Sequence, residues 1–321
     1  MMHPDPIVLV SAADDNYAMP LATMLKSALG NRPPERAVCC FVLNCGMTDQ
    51  NMRRVEESFR PESPEIHWVS VQETELRGLP AWGGMSLTTY HRLWMPRFLS
   101  RSIAKACWLD ADMLVLGDIS KLWDEPMGDN ALLAAQDLVV PYVSSTYGVS
   151  RYRQLGLPRD AKYFNAGVMV VNLEWWRRND VTSQVLGYLR ENRREVWLYD
   201  QDGLNAVLSG RWGEVNPRWN QIASVAGRPF FKARHLQAEQ YRLVVEEPWI
   251  VHYAGAWKPW NHFSRSPLRE QYFRYLDRTV WAGWRPDRSL GLVVRSLYSS
   301  LLRDVLYPLE RLRMEWLRRI G

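Results

Sequence analysis

Short apolar runs alternate along this chain with segments whose apolar residues recur at helical spacing. "PIVLVSA" (6–12) reads as a short buried strand. "YAMPLATMLKSALG" (17–30) carries a helical stripe with a stop at Gly30. "AVCCFVLNC" (37–45) is a second strand, and "TDQNMRRVEESF" (48–59) a helix with Thr48 or Asp49 as N-cap. "EIHWVSV" (65–71) is a third strand, and "SLTTYHRLWMPRFL" (86–99) reads as a helix. In "ACWLDADMLVL" (106–116) the strand stops at the first aspartate. "NALLAAQD" (130–137) and "FNAGVMVVNL" (164–173) are further strands. "SQVLGYLREN" (183–192) and "QDGLNAVLSG" (201–210) are helices, and "WIVHYAGAWKPW" (249–260) is a strand entering a Gly and Pro loop. Strands and helices in alternation predict an α/β domain built on a mostly parallel sheet covered by helices. Residues 1–262 are expected to form that domain. Residues 263–321 form a separate region, where Val294, Leu297, Leu301 and Val305 make an apolar stripe broken at Pro308 and resumed at Leu309, Leu312, Trp316 and Ile320.

Charge sharpens this division. The formal net charge is +5, and residues 288–321 hold seven arginines against three acids. The body is therefore almost neutral and the basicity belongs to the tail, which argues against a nucleic-acid surface spread over the fold. A 47% apolar fraction is ample for a core, and 16 tryptophans offer flat surfaces suited to sugars or bases. Cys39 and Cys40 are neighbours on one strand, so their side chains point to opposite faces. Together with Cys45 and Cys107 they are expected to be reduced thiols in a cytoplasmic protein. The opening residues carry no signal-peptide pattern, and no stretch approaches the about 18–20 apolar residues of a membrane span.

Candidate chemistry lies where strands end. Asp14, Asp15 and Asn16 follow the first strand; they can bond a nucleoside, or Asp15 or Asn16 can simply cap the next helix. No Gly-rich phosphate loop follows, which disfavours a dinucleotide fold. Asp110 and Asp112, one residue apart, share a side if the segment is extended. Converging carboxylates repel one another, and Mg2+ or Mn2+ would offset that cost; the alternative is a solvated turn. His252 ends an apolar strand and is either a third ligand, better suited to Mn2+, or a structural histidine. Gly255 allows close approach of backbone to a phosphate, and Lys258 can supply a positive charge. Asn165, Asp200 and Gln201 are side chains of the kind that bind sugar hydroxyls, although Asp200 can also serve as an N-cap.

Six segments in this order resemble family 8 retaining glycosyltransferases, the glycogenin-like group, and are most similar to bacterial lipopolysaccharide galactosyl- and glucosyltransferases. They are "AADDNYA", "SLTTYHRL", "WLDADMLVLGDIS", "YFNAGVMVVNLEWWRRND", "DQDGLN" and "HYAGAWKPW", spanning residues 12 to 260. The resemblance implies a GT-A fold, a UDP-sugar donor and Mn2+, with Mg2+ as the alternative. It places Ala12, Asp14 and Asn16 on the uridine, Arg92 on the diphosphate or sugar, and the backbone of Ala111 along the nucleotide. Asp110, Asp112 and His252 would bind the metal, with Asp110 also near the ribose. Asn165 and Ala166 would face the donor sugar, and Gly255 and Lys258 would hold the diphosphate. Asp200 would bind sugar hydroxyls, and Gln201 would lie beneath the anomeric carbon. Two departures stand out: Tyr199 before Asp200, and the acceptor-side stretch "LRGLPAWGGM" (76–85).

The expected reaction moves galactose or glucose from a UDP-hexose to a saccharide acceptor, by front-face attack or through a covalent intermediate on Asp200. Loops at Gly83, Gly84 and Gly255 would close over the donor. The basic tail reads as a membrane-surface helix pair on an anionic leaflet, which suits a lipid-linked acceptor such as lipopolysaccharide and a peripheral position on the inner face of the cytoplasmic membrane. A helix packed on its own domain is the other reading. Competing functions are a metal-dependent hydrolase or phosphatase, and a non-catalytic carbohydrate-binding protein.

Overall fold

The computed structural model describes residues 6–60, 64–71, 78–79, 87–227, 233, 235–255, 258–262, 264 and 266–287. The basic tail at 288–321, nearly all of the 76–85 stretch, and Gly83 and Gly84 lie outside the described residues.

The first elements follow the predicted alternation: β1 (Ile7–Ala13), α1 (Ala18–Gly30), β2 (Val38–Asn44), α2 (Asp49–Glu57) and β3 (Glu65–Ser70). All seven residues of β1 are buried. A strand covered on both faces is apolar at nearly every position rather than at alternate ones. Thr48 is the N-cap of α2, its hydroxyl accepting from the Asn51 amide. Gly30 stays within α1; the terminus is secured by Asn31, whose side-chain amide donates to the Ser27 carbonyl at 2.9 Å.

The segment expected as a helix over 86–99 differs. Leu87–Trp94 winds as tight 3-10 turns, followed by the short helix α3 (Met95–Phe98). The side chains of His91 and Arg92 bond back to the carbonyls of Thr88 and Thr89 at 3.1 and 3.0 Å. Pro96 lacks the N–H that a helix continued through it would use.

β4 (Lys105–Leu109) and β5 (Met113–Val115) are separated by a turn over Ala111–Asp112. Asp110 and Asp112 are therefore not on one extended strand; they converge because the chain turns from one sheet into another. Then come α4 (Ile119–Trp123), β6 (Leu132–Gln136), β7 (Phe164–Asn172), α5 (Leu173–Arg178), α6 (Val181–Glu191) and α7 (Asp200–Val207). The described chain closes with β8 (Trp212–Glu214), β9 (Gln221–Ile222), α8 (Ala223–Gly227), α9 (Ala238–Glu246), β10 (Ile250–His252) and α10 (Arg269–Leu276).

The main sheet has the order β3-β2-β1-β4-β7-β6-β8 and is parallel except for β7. A smaller sheet, β5-β10-β9, pairs β10 antiparallel to β5 and parallel to β9. The fold is the predicted mixed, mostly parallel α/β architecture. Tyr272, Phe273 and Leu276 of α10 sit in the main core, and Asn31 donates to the Tyr275 hydroxyl at 2.6 Å. All four cysteines are free thiols. Among the described residues no helix is long and apolar enough to cross a membrane.

Candidate active site

Topology brings five chain segments to one edge. Parallel β1 and β4 end there, at Asp14 and Asp110. β7 runs the other way, so its first residues, Asn165 and Ala166, arrive at the same edge. β6 ends opposite them, Gln136 pairing with Phe164, which delivers Asp137. In the smaller sheet His252 pairs with Met113, directly after Asp112. Ligands collect at this edge of open α/β sheets because strand ends leave side chains and loops free of the ladder.

At the centre are Asp110, Asp112 and His252, whose ligand atoms lie within 4.8 Å of one another. His252 Nε2 is 3.7 Å from Asp110 Oδ2 and 3.5 Å from Asp112 Oδ1. The other ring nitrogen, Nδ1, is 3.0 Å from Asn220 Oδ1. Asn220 gives its own amide to Asn165 Oδ1 at 2.9 Å, so its oxygen is the acceptor and Nδ1 carries the proton. The Nε2 lone pair is thereby aimed at the two carboxylates. Asp112 Oδ1 is buried and has no hydrogen-bond partner. A buried unpaired carboxylate oxygen is costly unless something cationic meets it. Two carboxylates and a neutral imidazole in this arrangement fit Mn2+ or Mg2+.

Each carboxylate has one oxygen on protein partners and the other toward His252. Asp110 Oδ1 accepts from Trp108 Nε1 at 2.7 Å and pairs with Arg92 Nη2 at 3.0 Å. Asp112 Oδ2 pairs with Lys258. Burial alone would raise the Asp112 carboxyl, but the Lys258 ammonium outweighs it and holds it well below the usual range. Burial likewise works against the Lys258 ammonium, yet Asp112 and Tyr17 keep it above its ordinary value. The ammonium also stands 5.9 Å from the ring centres of both Tyr17 and Trp260.

Arg92 links this cluster to α7. Its Nε is 2.9 Å from Asp200 Oδ2 and its Nη1 bonds the Ala166 carbonyl. Asp200 is 1% exposed and receives the Thr89 hydroxyl at 2.5 Å. Burial pushes its carboxyl up to about 6, with Arg92 and Thr89 offsetting part of the rise. The residue before it, Tyr199, has φ 55° and ψ −127°. For a buried tyrosine this is strained backbone, costing on the order of 1–3 kcal/mol, and it occurs where α7 presents Asp200 and Gln201 to the site. The Gln201 amide is held at both ends: its oxygen accepts from the Ala166 N–H at 3.0 Å, and its nitrogen donates to Asp137 Oδ2 at 3.1 Å.

Among the expected nucleotide contacts, Ala12 and Ala111 are buried at the strand ends. Asp14 caps the following turn, accepting from the Asn16 and Tyr17 amides at 3.0 and 3.2 Å, so the cap is Asp14 and not Asp15 or Asn16. Asp15 turns away to Thr48 and Asn51, tying β1 to the start of α2. Gly255 has φ 67°, a conformation that favours glycine.

Three residues that sequence reasoning passed over complete the site. Asp137 joins Asn165 to Gln201, accepting from the Asn165 amide at 2.8 Å. Asn220 orients His252. Gly167 flanks the imidazole so closely that a Cβ there would stand 2.5 Å from His252 Cε1. Asp137, a carboxylate ending an apolar run, was the one with a sequence signal.

Residues 8–264 match the family model for glycosyl transferase family 8. The chain is 33% identical over 276 residues to General stress protein A of Bacillus subtilis, covering 85% of this chain and 94% of that protein. It is 23% identical to the lipopolysaccharide 1,3-galactosyltransferase of Salmonella typhimurium, across 84% of this chain and 77% of the relative. Among solved structures, the galactosyltransferase LgtC in complex with donor and acceptor sugar analogs superposes with a TM-score of 0.75 at 28% identity, over 89% of this chain and all of the other. The fold is thus that of a GT-A glycosyltransferase, and the chain belongs to glycosyl transferase family 8.

Proposed function

We propose that this chain transfers a hexose, galactose or glucose, from a UDP-sugar to a saccharide acceptor with retention at the anomeric carbon. The observation that carries the reading is the convergence of Asp110, Asp112 and His252, with the His252 Nε2 lone pair and the unpartnered Asp112 Oδ1 facing one another. These three residues would hold Mn2+, with Mg2+ as the alternative. Bound there, the ion would supply Lewis-acid stabilisation of the diphosphate leaving group.

The rest falls to the chain's own side chains. Ala12, Asp14 and Asn16 would hold the uridine at the end of β1, and the Ala111 backbone would line the nucleotide. Asp110 would also sit near the ribose, and Arg92 beside the diphosphate or sugar. Lys258, on a loop that Gly255 lets turn, would move its charge from Asp112 to the diphosphate. Asn165, Ala166 and Asp200 would bind the sugar. In the reaction the bond from the anomeric carbon to the UDP oxygen breaks, the acceptor oxygen bonds to the same face, and its proton passes to the departing phosphate. Front-face attack is supported by two features. Gln201 presents a neutral amide held at both ends, and the Asp200 carboxylate is engaged by Arg92 and Thr89. The lipid-linked acceptor, the anionic membrane contact through residues 288–321 and a cytoplasmic, inner-face position form part of the same reading.

The test is release of UDP from UDP-galactose and UDP-glucose with and without Mn2+. Metal-dependent release, lost in Asp112→Asn, is expected. Release that is indifferent to Mn2+ or survives in Asp112→Asn refutes the reading. A covalent glycosyl adduct on Asp200 or Gln201 would overturn front-face attack.

A further inference from the structure

A second set of metal-ligand side chains lies on the outer part of the main sheet, well away from the donor site. β2 and β3 pair in parallel with Cys39 opposite Glu65 and Phe41 opposite His67. Residues 39 and 41, and 65 and 67, are two apart, so all four side chains emerge on one face. One ligand atom each from Cys39, Glu65 and His67 lies within 4.8 Å of the others. The His67 ring stacks on Phe41, with centroids 4.7 Å apart and planes 20° from parallel, and its Nε2 is 2.9 Å from Glu65 Oε1. Backbone register and ring stacking therefore preset two of the three ligands.

The cluster is reachable from solvent. The side chains of His67 and Glu65 are 41% and 70% exposed, and Cys39 is half-buried, whereas Cys40 and Cys107 are fully buried. It sits at the start of β2 and β3, while the candidate active site gathers at the far ends of parallel strands. Five residues of strand from Cys39 to Asn44 amount to about 16 Å.

Two other chemistries fit less well. A nucleophilic thiol needs a cation or helix terminus to favour the thiolate, but the residue paired with Cys39 on β3 is the acidic Glu65. A disulfide finds no partner, since Cys40 points to the opposite face. A divalent cation answers both features, offsetting the Glu65 charge and stabilising the thiolate. Thiolate, imidazole and carboxylate together select a borderline ion such as Zn2+ over the hard ions suited to Asp110 and Asp112. Tetrahedral ligands around zinc stand about 3.5 Å apart, so Glu65 and His67, 2.9 Å from each other, need to part slightly and move together toward Cys39, leaving water as fourth ligand.

We propose that Cys39, Glu65 and His67 form a zinc-type cation site that staples the edge strand β3 to β2. Co2+ is the probe, because a bound thiolate gives a charge-transfer absorption in the near ultraviolet. The full-length protein is expected to show this band, Zn2+ to abolish it by competition, and Asp112→Asn and Cys45→Ser to retain it. Cys39→Ser should lose it, and His67→Gln should weaken Co2+ binding at least tenfold. Zn2+ should also raise the thermal midpoint of Asp112→Asn but not of the double variant Asp112→Asn/Cys39→Ser. Absence of the band in the parent protein, its survival in Cys39→Ser, or an equal Zn2+ shift in both variants overturns the proposal.

Discussion

Replacing Asn220 with alanine removes the hydrogen bond that fixes His252 and leaves the ligand atom itself untouched. The Nδ1 to Oδ1 contact is 3.0 Å, and Asn220 is 1% exposed. The freed Nδ1–H is then a buried donor without a partner, at a cost of about 1–3 kcal/mol. The imidazole relieves that cost by rotating or by moving its proton to Nε2, and either change withdraws the lone pair from Asp110 and Asp112. At about 1.4 kcal/mol per tenfold, Mn2+ affinity should fall by about 10–100-fold, the usual effect of losing a partner behind a metal-binding histidine. Calorimetric titration of Mn2+ in the presence of UDP measures this directly. UDP release by Asn220→Ala should drop at limiting Mn2+ and recover at saturating Mn2+. Asn220→Asp, which still accepts from Nδ1, should bind Mn2+ more tightly than Asn220→Ala. Unchanged affinity in Asn220→Ala, or a loss of activity that saturating metal does not restore, would refute the role of this bond.

Gly167→Ala should lower UDP release at least tenfold without unfolding the protein, because the new Cβ would meet His252 Cε1 at 2.5 Å and Met113 Cε at 2.8 Å; parent-like kinetics would show that the imbalance is absorbed elsewhere. Arg92→Met should destabilise by about 3–5 kcal/mol at pH 8, since it strips the buried Asp200 of its counterion. Without Arg92 the Asp200 carboxyl titrates above its value of about 6 in the parent, so that loss should shrink as pH falls from 8 toward 6 and level off below, and a pH-independent loss in urea titrations would contradict the assignment. Asp202, 1% exposed, accepts from the Tyr163 hydroxyl at 2.5 Å and from the amides of Trp197 and Leu198. Burial raises its carboxyl from 3.8 to about 7 against these bonds. The unfolded chain then binds fewer protons than the folded one between those values, so stability should decline from about pH 4 to 7 and level off above, by about 4 kcal/mol at most. Asp202→Asn should flatten that decline, and identical pH profiles for the two proteins would be the contrary result.

The sequence by itself determined the alternation of strands and helices, because apolar periodicity is a local property of the chain. It also located the chemistry at strand ends: Asp110 and Asp112 after "ACWL", His252 after "WIV", and Asn165 opening "FNAGVMVV". Six motifs in order then sufficed to indicate the family. The tertiary structure decided what long-range pairing controls. The turn at Ala111–Asp112 sends β4 and β5 into different sheets, which periodicity could not reveal because both halves are apolar. The strand order places Cys39, Glu65 and His67 on one face, though nothing local relates them. Arg92 spans Asp110 and Asp200, Lys258 meets Asp112 across 146 residues, and Gln201 meets Asp137 across 64. Asn220 carries no sequence signal, for its value lies in an orientation that exists only once β9 and β10 lie side by side. A residue's type fixes which bonds it can make; which partner it finds depends on how distant strands pack.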